Sequence, residues 1–268
     1  MARARRGIAL VKWGGSLLTD KRAVEEFRKP VAARLADELR RARDQGARVV
    51  LGHGAGSFGH AAAARHGLGG GPIGPGQLVG AAETQDRAAS LHRLVIKELL
   101  RAGLPAFSVA PSSVVTLEGG RVRSARLDAV FGALELAMLP VLYGDVAVDR
   151  SWGVGVCSTE VALLAVARGL VRRGIPVRSA IWLGDTAGVW DEHGRTIPRI
   201  RLRELASAAR HAGGSAGTDV TGGMAHRLAC AGAFARLGIS SVIADGRVPG
   251  LLREALLGGQ VGGTVVVP

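Results

Sequence analysis

The stretch "VVLGHGAGSFGH", residues 49–60, places glycines at positions 54, 56 and 59 directly behind an apolar strand. The spacing G-x-G-x-x-G is typical of a dinucleotide-binding turn, which follows the first strand of its fold and has an acidic residue about 20 positions later, near the next strand. Here the glycines follow the second predicted strand, and the next acidic residue, Glu83, lies inside a predicted helix. The stretch is therefore interpreted as an anion-binding turn at a helix N-terminus, not as a nicotinamide site.

Outward from this loop, short apolar runs alternate with helical patterns along the chain. Strands are predicted over 7–13, 47–52, 139–148 and 178–185, helices over 23–45, 77–102, 126–138 and 159–173, and a hairpin turn at Gly119-Gly120. Continuous apolar strands joined by helices imply an α/β fold, with a mainly parallel sheet covered on both faces. The stretch "RRGIP" (172–176) separates two halves that each carry glycine loops, so we predict a single domain over 1–268 with lobes of about 1–175 and 176–268.

The composition limits the partners of the chain. Its 268 residues include 35 Lys+Arg and 22 Asp+Glu, a net charge of +13 that favours anionic ligands. One Tyr and five Phe are too few to provide stacking platforms for nucleic acid, so no nucleic-acid partner is expected. Two cysteines without metal-ligand spacing, no apolar run of membrane-spanning length and no signal-peptide core together predict a cytoplasmic protein without a membrane span or a metal site.

The first predicted strand supplies a second phosphate-binding turn. Lys12 lies at its carboxyl end, followed by Gly14, Gly15 and Ser16 and then by Lys21. Ligands of open parallel sheets bind at the carboxyl ends of the strands, so the two glycine turns and the two lysines converge on one crevice. Backbone donors and mobile cations are what phosphoryl transfer requires.

Polar groups at later helix starts extend this predicted site. In the second loop, the Ser57 hydroxyl and the His60 imidazole can reach the same anion. The stretch "GTDVTGGMAHR" (217–227) places glycines before another helix, with Arg227 one turn inside it.

Taken in order, the stretches "VKWGGSLLTDK", "GHGAGSFGH", "PAFSVAPSS", "PVLYGDVAVD" and "DVTGGM" resemble the amino acid kinase family, and within it the isopentenyl phosphate kinases. The resemblance runs from residue 7 to about residue 230. It implies a three-layer αβα sandwich, usually a homodimer, in which the N-terminal lobe holds the phosphate acceptor and the C-terminal lobe holds ATP. It also implies that Mg²⁺ arrives on the ATP.

The resemblance assigns expected roles residue by residue. Lys12 would bridge the donor and acceptor phosphates, Lys21 would support it, and His60 would hold the acceptor phosphate. The acceptor-binding residues would be Gly54, Ala55, Ser57, His60 and Thr159; the ATP-binding residues Lys12, Gly14, Gly15, Ser16, Gly56, Asp185, Gly222, Gly223 and Arg227; and the catalytic residues Lys12, Lys21, His60, Glu160 and Arg227.

Three stretches depart from the family pattern. Glu160 stands where the family usually has the aspartate that organises the lysines, and Arg227 stands where a lysine is expected. In "GDTAGV", Gly184 and Ala187 replace polar residues of the nucleotide lobe.

The expected activity is ATP-dependent phosphorylation of a small phosphomonoester, isopentenyl phosphate giving isopentenyl diphosphate for isoprenoid biosynthesis. Two alternatives stay open at this point. One is a kinase of a phosphonate such as fosfomycin, since fosfomycin kinases share the scaffold and the histidine. The other is a non-catalytic nucleotide or metabolite sensor, motivated by Glu160 and Arg227.

Overall fold

The computed structural model describes residues 7–20, 25–212 and 223–268. Within these ranges the strands are β1 (Ile8–Trp13), β2 (Arg48–His53), β3 (Ala106–Ser108), β4 (Val115–Glu118), β5 (Arg121–Ala125), β6 (Leu139–Tyr143), β7 (Asp145–Asp149), β8 (Gly153–Cys157), β9 (Val177–Gly184), β10 (Arg199–Arg201), β11 (Ser241–Asp245) and β12 (Thr264–Val267). The helices are α1 (Gly15–Leu18), α2 (Lys29–Asp44), α3 (Gly56–Arg65), α4 (Leu78–Arg101), α5 (Pro111–Val114), α6 (Asp128–Glu135), α7 (Thr159–Arg172), α8 (Leu205–Ala212), α9 (Gly223–Ala235) and α10 (Leu251–Leu257).

The main sheet has eight strands in the order β10-β12-β11-β9-β1-β2-β6-β3. Every neighbouring pair is parallel except β11 and β12. Parallel strands end at the same edge, so the loops that follow β1, β2, β6, β9 and β11 gather there. The predicted mainly parallel α/β sheet is confirmed.

Helices cover both faces of this sheet, because successive residues of a strand point to opposite sides. Ile8 and Leu10 of β1 belong to a core shared with α6, α7, α8 and α9. Ala9, Val11 and Trp13 belong to a second core shared with α1, α2, α4 and α10. The predicted three-layer αβα sandwich is therefore confirmed. None of the described helices has both the length and the hydropathy needed to cross a bilayer.

A second, smaller sheet corrects the strand predicted over 139–148. The chain leaves the main sheet at Tyr143 and, after Gly144 alone, enters β7 of a four-stranded sheet in the order β5-β4-β7-β8. Gly144 donates its backbone N–H to the carbonyl of His53 (2.9 Å), and a Cβ at Gly144 would lie 3.2 Å from the Ala55 nitrogen. The predicted hairpin turn is confirmed, with positive φ at Gly119 and Gly120 between β4 and β5.

The helix predicted over 23–45 begins later, at Lys29. Pro30 occupies its first turn, where a missing N–H costs nothing, and Phe27 instead forms a β-bridge with Thr19. The predicted division into lobes near residue 175 stays a prediction. In the main sheet, the strands from before that point and those from after it lie on opposite sides of the β1–β9 contact.

Candidate active site

The alternation along β1 directs Lys12 toward α7. Lys12 is on the same side of the strand as Ile8 and Leu10, and its Nζ forms an ion pair with Oε1 of Glu160 in the first turn of α7. Both side chains are buried. Burial opposes ionisation of Glu160, but the charge and hydrogen bond of Lys12 and the nearby His226 outweigh it, so the pKa of Glu160 lies below its ordinary value. The longer acid at this position therefore reaches the lysine directly.

The two glycine turns touch backbone to backbone at the carboxyl ends of β1 and β2. A Cβ at Gly15 would lie 2.6 Å from the Gly56 nitrogen, and a Cβ at Gly54 would lie 2.7 Å from the Gly15 nitrogen. The Gly14 N–H donates to the carbonyl of Leu183 in β9 (2.8 Å), which ties the first turn to the next strand. Only residues without side chains allow this approach. The structure thus brings together the glycines at 14, 15, 54 and 56 that the sequence had placed in one crevice.

Side chains around the second turn fix its shape. The Thr159 hydroxyl donates to the carbonyl of His53 (2.6 Å), so its proton already has an acceptor. The Ser57 N–H donates to Thr19 Oγ1 (3.0 Å), whereas Ser57 Oγ is buried and has no hydrogen-bond partner among the described residues. His60 is exposed on α3, one turn beyond Gly56. The predicted roles of Thr159, Ser57 and His60 in binding the phosphate of the acceptor substrate stay predictions.

The side of the site formed by β9 and α9 carries two of the departures from the family pattern, and they are in contact. The Arg227 guanidinium covers Gly184, with Nη1 2.7 Å from the position that a Cβ would occupy there. Asp185 follows β9 and contributes, after Asp245, to raising the pKa of Arg247. These charged groups meet where β9 and β11 end, since Gly184 pairs with Asp245.

The remaining predicted residues are placed as follows. Ser16 lies in α1, where its carbonyl accepts from Arg28 (3.3 Å), and Gly223 begins α9. Lys21 and Gly222 lie outside the described residues. Among the residues described, no group of three or more His, Cys, Asp or Glu side chains is arranged to hold a metal ion.

Sequence reasoning missed a contact between α7 and α9. Ser158 caps α7 by accepting from the Val161 N–H (3.3 Å), and its Oγ lies 3.0 Å from Nε2 of His226 on α9. His226 immediately precedes Arg227, and only its position one turn into a glycine-initiated helix could have drawn attention to it.

These features, a parallel sheet with two abutting glycine turns and a buried lysine at its carboxyl edge, agree with the comparison to known families. The model of the amino acid kinase family matches residues 7–245, and the chain belongs to this family.

Individual relatives are more specific. The chain is 32% identical to the isopentenyl phosphate kinase of Methanothermobacter thermautotrophicus over 95% of its own length and 97% of that protein's. It is 33% identical to the isopentenyl phosphate kinase of Haloferax volcanii, covering 91% of this chain and 97% of the relative. A solved structure of an isopentenyl phosphate kinase superposes with a TM-score of 0.79 at 28% identity, over 96% of this chain and 99% of the other.

Proposed function

We propose that this protein transfers the γ-phosphoryl group of ATP to isopentenyl phosphate, giving isopentenyl diphosphate and ADP for isoprenoid biosynthesis. The observation that carries the proposal is the contact between the glycine turns at Gly15 and Gly56, next to the buried Lys12 and with His60 one helical turn away. The similarity over nearly the whole chain to proteins named isopentenyl phosphate kinase supports the choice of acceptor.

The reaction is an in-line displacement. An oxygen of the acceptor phosphate forms a bond to the γ-phosphorus, the bond from that phosphorus to the β–γ bridging oxygen breaks, and its electron pair leaves with ADP. The acceptor phosphate is already anionic, so no side chain has to remove a proton from it. Catalysis then consists of holding the two phosphates in line and neutralising their charge.

The described residues suit these tasks. Lys12 supplies a cation at the meeting point of the two turns, and Glu160 keeps its ammonium group in place. The unpartnered Ser57 hydroxyl and the His60 imidazole are donors for the acceptor phosphate, while Arg227 faces the strand end assigned to ATP. Mg²⁺ prefers phosphate oxygens and would enter bound to ATP, where it offsets negative charge.

Two further properties belong to this proposal. We expect a homodimer, the usual state implied by the family resemblance, which light scattering after gel filtration would test. We also expect a reducing, cytoplasmic location, supported by two buried cysteines that are both free. Cell fractionation would test that location.

The deciding experiment measures ADP release with ATP alone and with isopentenyl, dimethylallyl or geranyl phosphate or fosfomycin added, with and without a chelator of Mg²⁺. Release that depends on isopentenyl phosphate and Mg²⁺, with the diphosphate product identified by mass spectrometry, is the expected result. Preferential turnover of fosfomycin would reassign the acceptor. Nucleotide binding without turnover of any acceptor would indicate a sensor instead.

A further inference from the structure

A buried chain of hydrogen bonds leads from the acceptor turn to the protein surface. His53, the last residue of β2, places Nδ1 3.0 Å from the carbonyl oxygen of Gly54 and Nε2 2.9 Å from Nδ1 of His92 on α4. Nε2 of His92 lies 2.6 Å from Oγ of Ser108, at the exposed end of β3. Both imidazoles are buried, His53 completely. The chain therefore joins three elements to the backbone of the second glycine turn.

The direction of every hydrogen bond in this chain follows from the Gly54 carbonyl, which can only accept. His53 must donate from Nδ1, and a neutral imidazole then accepts at Nε2. The Nδ1–H of His92 donates to it, so His92 Nε2 accepts from the Ser108 hydroxyl. Burial lowers the pKa of His53 to about 4, and burial together with His53 lowers the pKa of His92 to about 2. Both rings are thus neutral around neutral pH.

Packing holds the rings in this arrangement. The ring of Tyr143, the last residue of β6, stacks on His92 with centroids 4.2 Å apart. The two histidine rings are nearly coplanar, at 16°, with centroids 5.2 Å apart, so they lie edge to edge as their hydrogen bond requires. Because His53 lies on the α4 side of the sheet, the Gly54 carbonyl that it binds points to that side as well. In a trans peptide the C=O and the following N–H point in opposite directions. The Ala55 N–H is therefore directed away from His53, toward the side that carries Lys12.

We propose that His53, oriented by His92, is a positioning residue for the acceptor phosphate, because it fixes the Gly54–Ala55 peptide with the Ala55 N–H presented to that phosphate. The inference rests on the proposed function, since it takes the second glycine turn to be the acceptor site. Without the hydrogen bond from His92, His53 can move its proton to Nε2. Its unprotonated Nδ1 would then face the Gly54 oxygen, and the peptide would lose its fixed orientation.

The first test does not depend on activity. In protein labelled with ¹⁵N-histidine, long-range ¹H–¹⁵N spectra should show His53 and His92 neutral and protonated at Nδ1 throughout about pH 5 to 8. A His53 ring protonated at Nε2, or titrating in this range, would overturn the inference even if the enzyme is fully active.

The second test separates positioning from general stability. His92→Asn keeps a donor near the Nδ1 position, and His92→Leu removes it. Val95→Ala removes buried apolar volume from the same helix but none of the hydrogen-bonding groups of His53, His92 and Ser108. We expect His92→Leu to raise the KM for isopentenyl phosphate about three- to tenfold, the effect of one hydrogen bond, with the KM for ATP unchanged. His92→Asn should stay close to the parent, and Val95→Ala should lower the Tm alone.

Equal effects of His92→Leu on both KM values, or a KM change in Val95→Ala as large as that in His92→Leu, would refute the positioning role. If His92→Leu does not fold, the imidazole spectra of the parent decide the question. If the unmodified protein does not turn over isopentenyl phosphate, the proposed function is wrong. If His53 is protonated at Nε2, this inference is wrong.

Discussion

Lys12 and Glu160 depend on each other because both charges are buried. Removing one partner of such a pair leaves a charge without compensation, which costs about 3–5 kcal/mol. A Lys12→Ala variant would therefore lose stability as well as phosphoryl transfer, and its inactivity alone would not prove a catalytic role. Glu160→Gln is the better probe, since it keeps the size of the side chain and an oxygen for Lys12.

The pH dependence of stability should report this pair. The ion pair with Lys12 holds the pKa of Glu160 below its ordinary value in the folded state. The ionised acid therefore stabilises the fold above the pKa that Glu160 has in the unfolded chain, and this contribution is lost as pH falls through the folded-state pKa. We expect the Tm of Glu160→Gln to lie below that of the parent at neutral pH, and the difference to shrink on acidification. A constant difference from pH 7 down to about 3 would contradict the lowered pKa.

His60 allows a separate test of acceptor recognition. As a donor to the acceptor phosphate, it should be partly replaced by Gln, which keeps an N–H, and not by Ala. A charge-assisted hydrogen bond contributes about 1.5–3 kcal/mol, so His60→Ala should raise the KM for isopentenyl phosphate roughly ten- to a hundredfold while the KM for ATP stays constant. Steady-state kinetics with each substrate varied in turn would show this. A weaker ATP affinity instead would place His60 elsewhere in the site.

The sequence predicts the role of an individual residue when that residue type is unusual at its position in a strand or helix. Lys12 was found because it ends an apolar strand, where a cation would be costly without a partner. That His53 faces α4 follows from strand alternation, but its pairing with His92 depends on how the long helix α4 lies against the sheet. The contact between Ser158 and His226 likewise joins residues far apart in the chain, and no local pattern marks it.

The contact between the two glycine turns can be tested with matched alanine substitutions. Gly15→Ala would place a methyl group 2.6 Å from the Gly56 nitrogen, so one backbone must move, whereas Gly70 has open space where its Cβ would be. Overpacking of this kind costs about 1–3 kcal/mol. We expect Gly15→Ala to lower kcat/KM at least tenfold and Gly70→Ala to match the parent. Parent-like kinetics for Gly15→Ala would show that the turns do not need to touch.

The contact of Arg227 with Gly184 suggests that these two departures compensate each other. Gly184→Thr should displace the guanidinium and raise the KM for ATP, and Arg227→Lys in the same variant should recover part of the loss, because the lysine is slimmer. A double-mutant cycle on the KM for ATP measures the coupling, expected at about 0.5–3 kcal/mol for residues in contact. Additive effects would mean that the two substitutions are independent.

The ends of the strands and helices were harder to predict from the sequence than their existence. The apolar run over 139–148 predicts one strand, and nothing local shows that the chain changes sheets at Gly144. That change depends on the close approach of the second glycine turn, a contact with a distant part of the chain. The late start of α2 could have been read from Pro30, which favours the first turn of a helix.

At the scale of the whole molecule, the net charge of +13 should assist the capture of two anionic substrates. Such an attraction is screened by salt, with a Debye length of about 10 Å at 0.1 M ionic strength. We expect kcat/KM for isopentenyl phosphate to fall steadily as KCl is added, while kcat changes little. Measurements at constant pH and saturating ATP would show this. A kcat/KM independent of salt would mean that only the charges within the active site, and not the net charge of the protein, attract the substrate.

The position of β1 in the main sheet affects how the chain is made. β1 pairs with β2 on one side and with β9 on the other, and β9 leaves the ribosome much later. At about 5–20 residues per second, the nascent chain carries a mostly apolar strand with one unpaired edge for several seconds or more. Unpaired edges of this kind recruit other strands. This strand order therefore requires that β1 be protected during synthesis, by the ribosome surface or by a chaperone.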